Sequence, residues 1–156
     1  MPATDLALEH LDETLAIPLA PRTSARSALV RSLSSLIDQL EARERDASGH
    51  ACDVARLAVE LASGLDLPPS DVRRIQFGAL VHDVGKLAVP RAILAKPGPL
   101  CEAEWELMRL HPMAGEQFLC PVFDSRAALT DACMETVRAI VRWHHERWDG
   151  RGYPDV

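Results

Sequence analysis

The sequence predicts an all-α fold, a bundle of helices, and three observations point there. Apolar residues recur three and four positions apart in one segment after another. No alternating apolar pattern of useful length occurs anywhere, so no sheet is expected. Its 156 residues, 47% hydrophobic and 26% charged, suit one soluble globular domain with a real core and are too few for two ordinary ones.

In chain order, Thr4 can cap a short helix with Leu8, Leu11 and Leu15 on one face, which Pro18 and Pro21 interrupt. Residues 1–22 therefore read as an extension or linker, or as a frayed tail, ahead of a domain over 23–156. A longer helix from Ser24 carries Leu29, Leu33, Leu36 and Leu40, widened by Val30 and Ile37, as a core or dimer face. Its charged end, Glu41 to Asp46, breaks at Ser48-Gly49. His50 opens the next helix, where Val54, Leu57, Ala58 and Leu61 form the expected inner face and Gly64 the stop. Pro68-Pro69-Ser70-Asp71 suits the first turn of the helix that runs through Val72 to Val81.

After Lys86 the chain is expected to be irregular through Val89-Pro90 and Lys96-Pro97-Gly98-Pro99, with Lys96 a surface cation or a substrate contact. A helix over Glu102 to Leu110 should turn Trp105 and Met108, or Leu107, inward. His111-Pro112 ends it and begins another, because proline fits a first helical turn but disfavours helix in the residue before it. A last helix, Ala127 to Trp143, carries Ala128, Ala132, Val137, Ile140 and Val141. It runs into His144-His145-Glu146 and a turn-rich Trp148-Asp-Gly-Arg-Gly-Tyr-Pro154.

A formal charge of −6 and a pI near 5.5 argue against a surface that tracks a nucleic-acid polymer. Cys52, Cys101, Cys120 and Cys133 lie far apart without a Cys-x-x-Cys pair, and read as small buried thiols of a reducing cytoplasm. No signal peptide and no membrane span are expected, and the expected location is cytoplasmic.

The chemistry centres on His82-Asp83, with Gly85-Lys86 following. An imidazole beside a carboxylate at the end of an apolar helix can share a divalent metal, or can be a half-buried His with a salt-bridged Asp. Five of the six histidines, His50, His82, His111, His144 and His145, fall at helix ends or corners. Neutral imidazole with carboxylate suits iron, manganese, nickel or zinc. So many nitrogens suggest two metals bridged by Asp83, with Lys86 as a cation for a phosphate.

His82-Asp83 with Gly85-Lys86, Pro90, Lys96-Pro97-Gly98, His111-Pro112, His144-His145-Glu146 and Asp149-Gly150-Arg151-Gly152-Tyr153-Pro154 resemble, in order, the motifs of the HD-GYP family. This is a branch of the HD phosphohydrolase superfamily. The resemblance implies a bacterial, helical, metal-dependent phosphodiesterase that hydrolyses cyclic di-GMP to the linear dinucleotide or to GMP, with iron or manganese as the usual ions. It implies metal ligands at His50, His82, Asp83, His111, His144 and His145, a third-metal role for Asp46, a phosphate contact and catalytic role for Lys86 beside catalytic Asp83, and a substrate-side loop at Arg151, Gly152, Tyr153 and Pro154. Family members continue past this loop through helices that supply one more metal-binding aspartate, whereas the sequence stops at Val156. The expectations are a domain lacking its last family helices and a homodimer or protein partner over the uncovered face. A module that binds nucleotide or partner without catalysis is the alternative, and a different cyclic dinucleotide substrate is not separable from these motifs.

Overall fold

The computed structural model describes residues 24–44, 49–124 and 131–155, with side chains for 31–44, 49–120 and 135–155. The expected 1–22 extension and Asp46 lie outside the described residues, as do the side chains of Leu29, Val30, Ala128, Ala132 and Cys133. The order is α1 (Ser24–Glu41), α2 (His50–Gly64), α3 (Pro69–Val81), a 3-10 helix (Val84–Ala88), α4 (Arg91–Leu94), α5 (Glu102–Met108), α6 (His111–Asp124) and α7 (Asp131–Trp143). The described residues contain no strand, as expected.

α2 packs along α3, α3 against α7, and α6 against both α7 and the 3-10 helix. Their shared core is Leu33 and Ile37 of α1, Ala51 and Ala55 of α2, Phe77, Leu80 and Val81 of α3, Val84, Leu119 of α6, and Val137 and Val141 of α7. The α1 stripe is therefore a core face, and burying apolar area of this kind is the main stabilising force. Start signals act as read: Pro69 occupies the first turn of α3 with Asp71 beside it, and Asp71 takes a hydrogen bond from Arg74.

Four expectations are corrected. α2 buries Ala51, Ala55 and Ala62, while Leu57 and Leu61 are 49% and 70% exposed. Close approach to α3 favours the small residues, so the helix is rotated away from its leucines, although Val54 and Ala58 still edge the core. Of the α5 side chains expected to face inward only Met108 is partly buried; Trp105 and Leu107 are exposed, and Arg109 lies over the Trp105 ring. The stretch after Lys86 is irregular over 96–101 as expected, but before that it completes the 3-10 helix and forms α4, which burial of Val84, Val89 and Ile93 holds against the bundle. Cys101 is exposed, serving as the N-cap of α5, and Cys52 and Cys120 are only partly buried.

Candidate metal centre

The centre is assembled by helix ends, and the physical chemistry of those ends explains the histidines. The last four carbonyls of an α-helix lack intrahelical partners. His82 follows α3 and donates Nδ1–H to the Ala79 carbonyl at 2.7 Å; His144 follows α7 and donates to Val141 at 3.0 Å. His111, the first residue of α6, reaches back to the α5 end and donates to Met108 at 2.7 Å. Each ring thus caps the residue three positions back. A carbonyl only accepts, so Nδ1 carries the proton and, in the neutral ring, Nε2 is left as a lone pair aimed inward.

Those lone pairs converge on Asp83. Its Oδ1 lies 3.2 Å from His111 Nε2 and 3.5 Å from His144 Nε2; its Oδ2 lies 3.2 Å from His82 Nε2 and 2.8 Å from Lys86 Nζ. The Nε2 atoms of His111 and His144 face one another at 3.1 Å. Two lone pairs and a carboxylate at that separation repel unless a cation lies among them, and with nitrogen and oxygen donors a first-row divalent metal suits the set. Two groups of donors could hold such an ion: His50, His82 and Asp83 on one side, and Asp83, His111, His144 and His145 on the other. Asp83 belongs to both.

Burial favours the neutral acid at Asp83, but where no ion lies among the rings, hydrogen bonds from His111, His144 and His82 carrying a proton on Nε2 outweigh it and hold the carboxyl far below the usual carboxylate range, a place that a bound cation would take over. Burial likewise opposes charge on Lys86, yet Asp83 and then Glu44 outweigh it and keep the ammonium protonated. Burial, followed by the neighbouring His144 and His111, pushes His145 down to about 4, which keeps that ring neutral and able to offer a lone pair.

Two glycines make this geometry accessible. A Cβ at Gly85 would stand 1.8 Å from the His111 carbonyl oxygen and 2.3 Å from the Gly115 nitrogen. The glycine of the His82-Asp83-Val84-Gly85-Lys86 run is thus what lets the 3-10 helix touch the start of α6. A Cβ at Gly152 would meet the Glu146 Cα at 2.5 Å and the His145 carbonyl oxygen at 2.6 Å. That contact brings Tyr153 flat onto the His145 ring, 4.6 Å between centroids and 18° between planes, with the Tyr153 N–H donating to the His145 carbonyl at 3.3 Å. Asp155 secures the loop end by pairing with Arg142 and accepting from the Trp143 indole.

All six expected ligands among the described residues come together: His50, His82, Asp83, His111, His144 and His145. Lys86 joins them. Tyr153 reaches the centre through His145, whereas Arg151 is exposed, with its backbone N–H on Asp149, and Lys96 is committed to Glu104. Sequence reasoning missed Glu44, which receives Lys86 Nζ at 2.7 Å. A run of charges at a helix end carried no signal for it. Also missed were the carbonyls of Ala79, Met108 and Val141, whose common offset could have been read from the helix ends.

The HD domain family profile matches residues 48–155. The chain belongs to the HD domain family. This bears out the family expected from the motifs. Among relatives of the HD domain, a cyclic di-GMP phosphodiesterase of Pseudomonas aeruginosa is 41% identical over 105 residues, 67% of this chain and 23% of that protein. The 3′3′-cGAMP-specific phosphodiesterase 2 of Vibrio cholerae is 37% identical over 121 residues, 78% of this chain and 22% of its own length. A cyclic di-GMP phosphodiesterase response regulator of Xanthomonas campestris is 35% identical over 124 residues, 80% of this chain and 31% of its own. The chain thus spans less than a third of each of these relatives. No described helix of the HD domain is long and apolar enough to cross a membrane.

Proposed function

We propose that this HD domain, taken as residues 23–156, is a cytoplasmic metal-dependent phosphodiesterase that hydrolyses cyclic di-GMP to the linear dinucleotide or GMP. The observation that carries the reading is the meeting of two donor groups at Asp83. The names of the relatives support a cyclic dinucleotide as the substrate class, with 3′3′-cGAMP beside cyclic di-GMP.

His50, His82 and Asp83 would hold one ion, and Asp83, His111, His144 and His145 the other. Iron or manganese is the first choice, nickel or zinc the second, and Asp46 a contributor to a third ion. Divalent ions held there would supply Lewis-acid charge and an acidified water for attack on phosphorus. Asp83 fixes the spacing of the two groups, and the carbonyl bonds of His82, His111 and His144 hold their rings in the productive tautomer. The Lys86 ammonium stands beside Asp83, where charge growing on the phosphoryl oxygens can be met. As the P–O3′ ester bond breaks, water supplies hydroxide to phosphorus and a proton to the leaving oxygen. Arg151 and the Gly152-Tyr153-Pro154 loop would border the substrate. The exposed leucines of α2 suit a second copy or partner protein.

The test is metal analysis of the purified protein, with product chromatography after incubation with cyclic di-GMP or 3′3′-cGAMP and manganese or ferrous iron. Roughly two ions per chain and a linear dinucleotide are expected; metal-replete protein that turns over neither substrate would overturn the reading.

A further inference from the structure

Lys86 is held from a direction that the metal ligands do not supply. The turn that follows α1 grips the 3-10 helix and its end at three points around it. Arg43 donates through Nη1 to the Leu87 carbonyl at 2.6 Å and through Nη2 to the Val89 carbonyl at 3.1 Å. The next residue, Glu44, accepts from Lys86 Nζ at 2.7 Å, and both side chains of that pair are 17% exposed. Bonds to two carbonyls within three residues of Lys86 fix the Glu44 backbone relative to the lysine, so the pair is not a chance meeting of two long surface chains.

The ammonium therefore stands between two carboxylates, Asp83 Oδ2 at 2.8 Å and Glu44 Oε1 at 2.7 Å. The two carboxylates have different fates. Asp83 also lies within reach of three imidazoles and would give its charge to the ions it bridges, which weakens its claim on Lys86. Glu44 belongs to neither donor group. A lysine side chain carries about 2 kcal/mol of rotamer entropy, and a lysine freed from Asp83 would wander unless another anchor held it.

We propose that Glu44 is the positioning residue for Lys86: its carboxylate keeps the ammonium over the centre when Asp83 is occupied with cations. Glu44 does not touch the phosphodiester; it acts through the lysine. The proposal deepens the phosphodiesterase reading and rests on it. A lysine misplaced by about 1 Å can lose roughly a hundredfold in rate.

Two measurements test it. The chain contains two lysines, Lys86 and Lys96, so acylation by a small anhydride followed by mass spectrometry reports Lys86 against Lys96 as an internal reference. In Glu44→Gln, Lys86 labelling relative to Lys96 is expected to rise several-fold, read in protein carrying its metals. In the steady state, Glu44→Gln is expected to lower kcat ten- to hundredfold with a smaller change in KM and with metal content and Tm unchanged. In a Lys86→Met background the same substitution is expected to have no further effect, because a positioning residue has nothing left to position. A merely structural role would give the same loss in both backgrounds. Unchanged Lys86 labelling in Glu44→Gln overturns the hold on Lys86 whatever the activity. Wild-type kcat in that variant, or a full loss that persists in Lys86→Met, overturns the positioning role. A metal-loaded wild-type protein that hydrolyses no cyclic dinucleotide overturns the phosphodiesterase reading instead and leaves the labelling result to decide whether Glu44 holds Lys86.

Discussion

Substituting Gly85 by alanine should disable the centre without touching any of its donors. The added Cβ would sit 1.8 Å from the His111 carbonyl oxygen, 2.3 Å from the Gly115 nitrogen and 2.8 Å from its Cα. Real contacts of this kind do not fall below 3.0 Å, so the 3-10 helix and the start of α6 must part by roughly 1.2 Å at the least. All three obstacles are backbone, and none can rotate away. Asp83 stands two residues before Gly85, and His111 is the first residue of α6 at 1% exposure, so the displacement acts directly on their 3.2 Å contact. Overpacking of a close-packed interior costs about 1–3 kcal/mol, which for a chain of this size lowers Tm by about 2–12 °C. Calorimetry and metal analysis of Gly85→Ala should show that drop together with loss of more than half of the bound metal. Gly64→Ala is the control: nothing lies within 4 Å of that Cβ, so its Tm should hold or rise slightly. A Gly85→Ala protein with wild-type Tm and full metal content would refute the steric account.

Asp83→Asn should lower bound metal in both groups at once and reduce turnover by more than the ten- to hundredfold typical of residues that only support a ligand, measured by metal analysis and product chromatography. Leu119→Ala, at a position 1% exposed, should destabilise by about 2–5 kcal/mol in denaturant titration, whereas Leu61→Ala, at 70% exposure, should stay within about 0.5 kcal/mol. Tyr153→Phe keeps the ring on His145 and should retain metal, while Tyr153→Ala removes a stack worth about 0.5–1.5 kcal/mol and should weaken metal retention on dialysis. Glu104 is lowered to about 2 from an ordinary 4.5, first by the Lys96 hydrogen bond and then by the Cys101 N–H. Its folded value lies below its unfolded one, so its support of the α5 start is complete above about pH 4.5 and fades as pH falls towards 2, visible as faster amide exchange in α5.

Much of the centre was legible because its chemistry is carried by rare residue types at helix ends. Histidine is uncommon enough that five of six at such positions is a signal, and a helix end supplies the orphan carbonyl that fixes each tautomer. The capping at Ala79, Met108 and Val141 then turns a sequence position into a direction in space. The faces of the helices were less legible. Leucine spacing chose the inner face of α1 correctly, since Leu33, Ile37 and Leu40 are buried, but chose the wrong face of α2. There the neighbour decided: α3 approaches closely, and the alanines rather than the leucines fit between the two axes.

By itself the sequence determined the all-α class, the helix starts at Pro69 and His111, and the set of donors, because propensity, proline geometry and ligand chemistry act over a few residues. Only the tertiary structure decided which histidines fall on each side of Asp83, that Gly85 must lack a side chain, and that Glu44 meets Lys86 across 42 positions of chain. Those facts depend on distances between segments far apart in sequence, and such distances are set by how closely whole helices pack.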